Sequence, residues 1–159
     1  KFIRYTYFKH VKFKGKAEFN HVKFSKNASF SHATFDKLAN FDNSKFENKA
    51  YFLKTIFNDS TTFKDATFEG KANFGSAIFK HAKFNHTTFE KDADFKNTIS
   101  GKLEFDKSTF EDIAYFRDIY FGLLSFVDCI FKGMAEFRNK IKSKKELKDM
   151  GVNEEILMK

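Results

Sequence analysis

Phenylalanine recurs along this chain at intervals of five or six residues. From Phe8 to Phe137 there are 24 Phe, separated by 13 intervals of five residues, nine of six and one of ten. Self-similarity at a short, fixed period indicates a solenoid, in which each unit repeats the conformation of the unit before it. Neither the 3.6-residue turn of a helix nor the two-residue alternation of a strand produces this spacing.

The residue two positions before each Phe is nearly always small. Ala fills this position twelve times, and Leu103, Ile119 and Leu124 are the only bulky exceptions. Each unit therefore offers one small and one large side chain on the same side of a short strand. Four such units close one square coil, and coils stack as parallel strands about 4.8 Å apart. The absence of Pro agrees, since almost every backbone N–H then donates in a ladder.

The units Ala-Glu-Phe, Ala-Ser-Phe, Ala-Thr-Phe, Ala-Asn-Phe and Ala-Asp-Phe resemble the repeats of the pentapeptide-repeat family over roughly residues 3–137. The resemblance implies an all-β fold, a right-handed quadrilateral parallel β-helix of about six coils with the small residue and the Phe pointing inward. Most coils here alternate units of five and six residues rather than repeating five, so we expect extra residues to bulge at two opposite corners. We expect the β-helix over residues 1–139.

Counting units in fours sorts the Phe into four columns, which we call faces 1 to 4. Face 1 holds Phe8, Phe30, Phe52, Phe74, Phe95, Phe116 and Phe137; face 2 holds Phe13, Phe35, Phe57, Phe79 and Phe121. Face 3 holds Phe19, Phe41, Phe63, Phe84, Phe105 and Phe126; face 4 holds Phe24, Phe46, Phe68, Phe89, Phe110 and Phe131. In the ten-residue gap we expect Ile99 to replace the missing Phe of face 2, with a one-residue deletion and an irregular corner near Asn97.

The last residues change period. Ser143 to Glu146 has the pattern of a capping box, which predicts a short helix to about Met150. We interpret residues 140–159 as a helical C-terminal cap over the open strand edge, with a linker or a dimer contact through this end as the alternatives.

The net charge is +8, from 29 Lys and Arg against 21 Asp and Glu, and the two signs are interspersed. We interpret this as a solvated surface with a Lys bias, and keep direct nucleic-acid binding as an alternative. No apolar run approaches membrane-spanning length and no signal peptide is visible, so the sequence predicts a cytoplasmic protein without a membrane span. Because the chain begins at Lys1, we expect it to be part of a longer protein.

No group of residues points to catalysis, a cofactor or a metal. All five His follow a Phe by two residues, and His10 and His32 should stack as an exposed polar ladder. Glu47, Glu69, Glu90 and Glu111 should form an acidic column on face 4, offset by Lys49, Lys71 and Lys91. Cys129 occupies a small inward position, which favours a core residue over a nucleophile. A convex prism offers no cleft for acid–base chemistry, so we expect no enzyme.

The outward positions just before Phe suggest a protein contact. The candidate interaction surface comprises Tyr51 and Tyr115 on face 1, with Ile56, Ile78 and Tyr120 on face 2. We expect a non-catalytic scaffold or protein–protein interaction module with an unidentified protein partner. A second reading follows from the resemblance, because some family members mimic DNA and occupy type II topoisomerases. That mimicry requires a strongly negative rod, whereas this chain is positive.

Overall fold

The computed structural model of the protein describes residues 1–138, which form strands and turns and contain no helix. The helix predicted within residues 140–159 lies outside the described residues and stays a prediction. The first eleven strands are β1 Thr6–Tyr7, β2 Lys12–Phe13, β3 Ala17–Glu18, β4 Lys23–Phe24, β5 Ala28–Ser29, β6 Thr34–Phe35, β7 Ala39–Asn40, β8 Lys45–Phe46, β9 Ala50–Tyr51, β10 Ile56–Thr62 and β11 Thr67–Phe68. The remainder are β12 Ala72–Asn73, β13 Ile78–Lys83, β14 Thr88–Phe89, β15 Ala93–Asp94, β16 Ile99–Glu104, β17 Thr109–Phe110, β18 Ala114–Arg117, β19 Tyr120–Ser125, β20 Ile130–Phe131 and β21 Ala135–Arg138.

Every strand pairs in parallel with the equivalent strand of the next coil. In the ladder of face 1, Ala28 pairs with Ala50, and further along the chain Ala72 pairs with Ala93. Face 1 is a seven-stranded ladder from β1 to β21, and face 4 is a six-stranded ladder from β4 to β20. Faces 2 and 3 merge into one eight-stranded sheet because β10 runs around the corner between them. The protein is therefore an all-β parallel β-solenoid of about six turns.

The interior is filled by the predicted phenylalanine columns. Within a column the rings stack almost parallel, as Phe63 does on Phe84 at 4.7 Å between centroids and 3° between planes. Rings from different faces meet edge to face, as Phe52 and Phe63 do at 5.4 Å and 87°. Both arrangements are the ones that the quadrupole of an aromatic ring favours. The coil spacing and the stacking distance agree, so one periodicity satisfies both the backbone ladder and the rings.

The columns become more exposed at their two ends. Phe137, in the last described coil, is 56% exposed although its ring still stacks on Phe116 at 5.1 Å. At the other end Phe2 joins face 4, stacking on Phe24 at 5.3 Å and pairing with it through an isolated bridge. Phe2 was missing from the predicted columns, although its spacing from Phe24 matches the spacing of Phe24 from Phe46.

Faces 1 and 3 end in a tight turn that was not predicted from the sequence. From Phe8 to Phe105, the carbonyl of each Phe on these two faces accepts a hydrogen bond from the amide three residues on, as Phe52 does from Thr55. The residue two positions after the Phe has positive φ, which makes this a type II turn. Twelve residues other than Gly adopt this conformation, from His10 to Asp128, with φ between 53° and 59°. The inward hydroxyls of Thr55, Thr87 and Thr98 donate to Phe carbonyls at such turns in the preceding coil.

The coil shortens by one residue at a single corner. Between β10 and β13 the register shifts, because Phe57 pairs with Phe79 whereas Ser60 pairs with His81. From this corner onward the coils keep the shorter length, as the pairs Phe79 with Ser100 and Ala82 with Leu103 show. The predicted deletion near Asn97 is therefore wrong, since Asn97 adopts the regular turn with φ of 57°.

The expected replacement of the missing Phe by Ile99 is also wrong. Ser100 pairs with Phe79 and Phe121 in the face 2 column, and Ile99 lies in the outward row. The turn amide of Thr98 donates to the Phe95 carbonyl, which fixes where the next strand begins and hence which residue points inward. Turn geometry thus outweighs the preference of an apolar side chain for the core.

Bulky side chains lie close to Ser100, the position at which the face 2 column lacks a Phe ring. All three bulky residues at normally small positions, Leu103, Ile119 and Leu124, lie in the coil of Ser100 or the next. Leu103 is fully buried and Ile119 is 4% exposed. Since protein interiors are close-packed, these side chains replace volume that a Phe would have filled.

Candidate interaction surface

The outward row of face 1 is a ladder of unequal side chains. Parallel pairing places Tyr7 beside Ser29, Ser29 beside Tyr51 and Tyr51 beside Asn73. The row continues through Asp94 to Tyr115. Because side chains in a parallel ladder project in register, a small residue between two tyrosines leaves a recess in an otherwise flat face.

The first recess, which we call the serine notch, lies between Tyr7 and Tyr51. It measures about 460 Å³ and is also lined by Lys9, His10, Asn27, Ser29, Ser31, His32 and Leu53. Its floor consists of the buried Ser29 and Ser31, where the Ser29 hydroxyl donates to the Ser31 hydroxyl at 3.3 Å. Tyr7 forms one wall with 66% of its surface exposed. The recess falls within the range of small-ligand pockets, with aromatic walls and a polar floor.

One side of the serine notch carries positive charge. The rings of His10 and His32 stack at 4.8 Å between centroids, as the sequence predicted. The pKa of His32 is lowered from its ordinary value of 6.5, first by partial desolvation and then by the nearby His10, Lys54 and Lys9. Several cationic groups therefore lie close together at this edge. An anion bound there would offset the repulsion between them.

A second recess, the acidic notch, occupies the same row between Tyr51 and Tyr115. It measures about 320 Å³, and its lining includes Asn73, Asp92 and Asp94. Most of its charges interact within the protein: the Lys71 ammonium lies 2.6 Å from Asp92, and the Lys96 ammonium lies 3.6 Å from Asp94 and 3.8 Å from the ring centroid of Tyr115. Lys49, which also lines this notch, forms no ion pair among residues 1–138. Tyr51 thus forms a wall of both notches, whereas Tyr115 is engaged by a lysine.

The face 2 candidates form a continuous apolar ladder. Ile56 pairs with Ile78, and Ile99 lies between Ile78 and Tyr120. The four side chains cover one another, since Ile78 is 8% and Ile99 is 1% exposed while Ile56 and Tyr120 are half-buried. Ile99 was missing from the predicted surface because it was assigned to the core. Face 2 therefore contributes a smooth apolar strip rather than a recess.

Three of the four glutamates in the acidic column of face 4 are paired, but with other lysines than predicted. Glu47 pairs with Lys23 and Glu69 with Lys45, both at 2.6 Å, and Glu111 pairs with Lys132 at 2.9 Å. The predicted role of Lys71 is wrong, because it pairs with Asp92. Lys49 and Lys91 form no ion pair with this column among residues 1–138. The true partners lie in neighbouring coils: Glu47 and Glu69 pair diagonally across the ladder, whereas Glu111 lies directly beside Lys132.

These contacts bias the ionisation of the paired groups on face 4. The Lys23 ammonium is the main cause that lowers the pKa of Glu47, and the Glu69 carboxylate is the main cause that raises the pKa of Lys45. Both directions favour the charged forms. Face 4 is thereby a surface of largely paired charges rather than an open anionic track, although Glu90 forms no ion pair among residues 1–138.

Positive charge is concentrated at the N-terminal end, which corrects the prediction that the two signs are interspersed. Residues 1–26 contain one acidic residue, Glu18, and eight basic residues: Lys1, Arg4, Lys9, Lys12, Lys14, Lys16, Lys23 and Lys26. Residues 27–138 contain 15 basic and 16 acidic residues. A count in windows along the chain would have revealed this asymmetry. The serine notch opens beside this basic coil.

Other parts of residues 1–138 offer little chemistry. A third recess of about 440 Å³ is lined by Ser60, Thr61, Thr62, His81, Lys83, Lys102 and Glu104, of which the last two form an ion pair at 3.0 Å. Cys129 is half-buried, its thiol donates to the Phe105 carbonyl, and burial raises its pKa. No cluster of three metal-binding side chains and no helix capable of crossing a bilayer occurs in this part of the chain.

Stacked coils, inward Phe columns and flat outward rows define a parallel β-solenoid built from five-residue units. A family model for pentapeptide repeats (9 copies) matches residues 8–53, 41–88, 52–99 and 74–119. The protein therefore belongs to the pentapeptide-repeat family. Comparison with curated proteins and with solved structures gave no match.

Proposed function

We propose that this protein is a non-catalytic scaffold that binds a protein partner through face 1, around Tyr51. The observation that carries the proposal is the position of Tyr51, which walls two recesses in one rigid ladder. Tyrosine offers a large contact area, an apolar ring and a polar end at low entropic cost, which is why it is frequent at the energetic centres of interfaces.

The backbone beneath face 1 supports this role. Tyr51 lies on β9, whose neighbours on both sides are hydrogen-bonded strands, and the adjacent Phe52 is fully buried between stacked rings. A side chain held on such a support loses little freedom on binding, so more of its contact energy appears as affinity. For the solenoid itself we propose the right-handed, four-sided coil of the family, which an experimental structure would test directly.

Site-specific photo-crosslinking tests the proposal. A benzoylphenylalanine placed at Tyr51 or Tyr115, with the protein expressed in its native cell, should give a discrete adduct. The matched control is Thr88, which occupies the outward row of face 4. Equal adducts from Thr88, or none from face 1, would contradict face 1 as the contact surface.

A second candidate function, nucleic-acid binding, is favoured by the basic first coil. Phosphate contacts by Lys and Arg release counterions, so affinity should fall steeply with salt. The test is binding of random double-stranded DNA at rising salt, comparing the native chain with a Lys12→Gln, Lys14→Gln, Lys16→Gln variant. Binding that is weak in both and insensitive to the substitutions would exclude this function. The DNA-mimic hypothesis requires a strongly negative rod. Residues 1–26, with eight basic residues and one acidic residue, do not support it.

A further inference from the structure

We propose that the serine notch receives a single aromatic side chain, flanked by carboxylates, from the partner polypeptide. The inference rests on the proposed function and specifies the chemistry of the partner at Tyr51. Three features of the notch carry it: a gap in an aromatic ladder, a hydroxyl floor and a cationic edge.

The gap has the dimensions of one ring. Tyr7 and Tyr51 are separated by one intervening strand, so their backbones stand about 9.6 Å apart. A ring placed midway would lie about 4.8 Å from each tyrosine, within the range of offset stacking. The core beneath shows that this repeat suits aromatic stacking, because Phe30 lies 5.1 Å from Phe8 and 5.0 Å from Phe52. A guest ring would thus stack between Tyr7 and Tyr51 on the surface, as Phe30 stacks between Phe8 and Phe52 in the core.

The serine floor and the cationic edge of the notch determine which groups can lie next to the guest ring. The Ser29 and Ser31 hydroxyls share one hydrogen bond, and among residues 1–138 no other side-chain bond uses the second proton of this pair. That proton is free for a carbonyl or carboxylate oxygen of the guest. Lys9, His10, His32 and Lys54 surround the edge, and the pKa of His32 is lowered first by desolvation and then by repulsion from His10, Lys54 and Lys9. Carboxylates beside the guest ring would relieve this repulsion.

The acidic notch provides an internal contrast. It shares Tyr51 and the same ladder, but the carboxylates of Asp92 and Asp94 contribute to its lining, and two of its three lysines, Lys71 and Lys96, already interact within the protein. These carboxylates would repel an acidic aromatic segment, so the serine notch is the better site for it. A single gap accommodates one ring, which favours a side chain over the successive bases of a nucleic-acid strand.

A tryptophan peptide is a direct probe because the protein contains no Trp. The peptide acetyl-Glu-Asp-Trp-Asp-Glu-amide should bind the full chain saturably, with a blue shift of its emission as the indole leaves water. Ser29→Tyr fills the gap with the residue that already occupies this row at Tyr7 and Tyr51, and should weaken binding at least about tenfold. Thr88→Tyr adds the same side chain to the outward row of face 4, away from face 1, and should leave binding unchanged. Urea unfolding of both variants verifies that the fold is retained.

Three further binding measurements test whether the guest must be both aromatic and acidic. A peptide with Lys in place of the acidic residues, and one with Ala in place of Trp, should each bind at least about tenfold more weakly. Adenosine monophosphate should not displace the acidic peptide. Equal binding of the Lys peptide, undiminished binding to Ser29→Tyr, or displacement by the nucleotide would each overturn the proposal. A photo-adduct at Tyr51 with a partner lacking such a segment would overturn this inference alone and leave the scaffold function standing.

Discussion

The inward and outward sides of the same strands obey different rules. Inward positions repeat one small residue and one Phe with few exceptions, whereas the outward positions of face 1, from Tyr7 through Ser29 and Asn73 to Tyr115, follow no regular pattern. The difference teaches that backbone and core depend on the periodic positions, and that recognition depends on the aperiodic ones. Substitutions should therefore separate cleanly into those that change stability and those that change binding.

The largest loss of stability should come from the middle of a phenylalanine column. Phe63 is fully buried and stacks on Phe41 and Phe84, both at 4.7 Å. Phe63→Ala should lower the free energy of unfolding by about 3–5 kcal/mol because it empties a site that rigid neighbours cannot close. Urea unfolding measures this. Half-buried Phe121 has Ser100 as its neighbour in the preceding coil, so Phe121→Ala should cost only about 1–2 kcal/mol.

A second prediction concerns the volume around Ser100. Leu103→Ala should cost about 2–4 kcal/mol, because Leu103 is fully buried. Adding Ser100→Phe restores the regular unit and should recover at least about half of that loss. Urea midpoints of the two single variants and the double variant give the coupling. Additive losses would mean that Leu103 does not compensate for the missing ring.

Two glycines offer a matched test of coil spacing. A Cβ added to Gly70 would overlap the backbone of Asn48 in the preceding coil, whereas one added to Gly15 meets nothing within 4 Å. Gly70→Ala should therefore destabilise by about 1–3 kcal/mol, and Gly15→Ala should change stability by less than about 0.5 kcal/mol. Thermal unfolding of both variants checks this, and similar effects at the two sites would contradict the described stacking.

The smallest expected effect is a pH dependence from the edge of the serine notch. The pKa of His32 is lower in the folded chain than its ordinary 6.5, so protonation favours the unfolded state. Stability should fall as pH drops through about 6.5, and this contribution should level off once folded His32 is also protonated. His32→Gln should show a shallower decline of the urea midpoint between about pH 7.5 and pH 5. An identical decline in both proteins would show that His32 does not contribute to the pH dependence of stability.

Sequence reasoning predicted the core well because Phe and Ala at fixed spacing have one compatible geometry. It assigned Phe57 and Phe63 to adjacent faces, and both are buried in the columns expected. It failed at Ile99 because hydropathy was given more weight than the turn at Asn97, which sets the register locally.

The candidate surface was less predictable. Tyr51 and Tyr115 could be chosen because aromatic residues before Phe point outward, but the notch depends on Ser29 and Ser31, small residues that carry no signal of their own. Only the pairing across coils shows that Ser29 separates two tyrosines. The partners of Glu47 and Glu69 were missed for the same reason, since diagonal neighbours depend on coil length and twist.

The most direct test of the separation between fold and recognition is Tyr51→Ala. Tyr51 lies on the outward side of β9 and is half-buried, so its loss should lower the free energy of unfolding by less than about 1 kcal/mol. The photo-adduct formed from a benzoylphenylalanine at Tyr115 in the native cell should disappear in the same variant. A stable Tyr51→Ala protein that still gives the adduct in full would contradict the account.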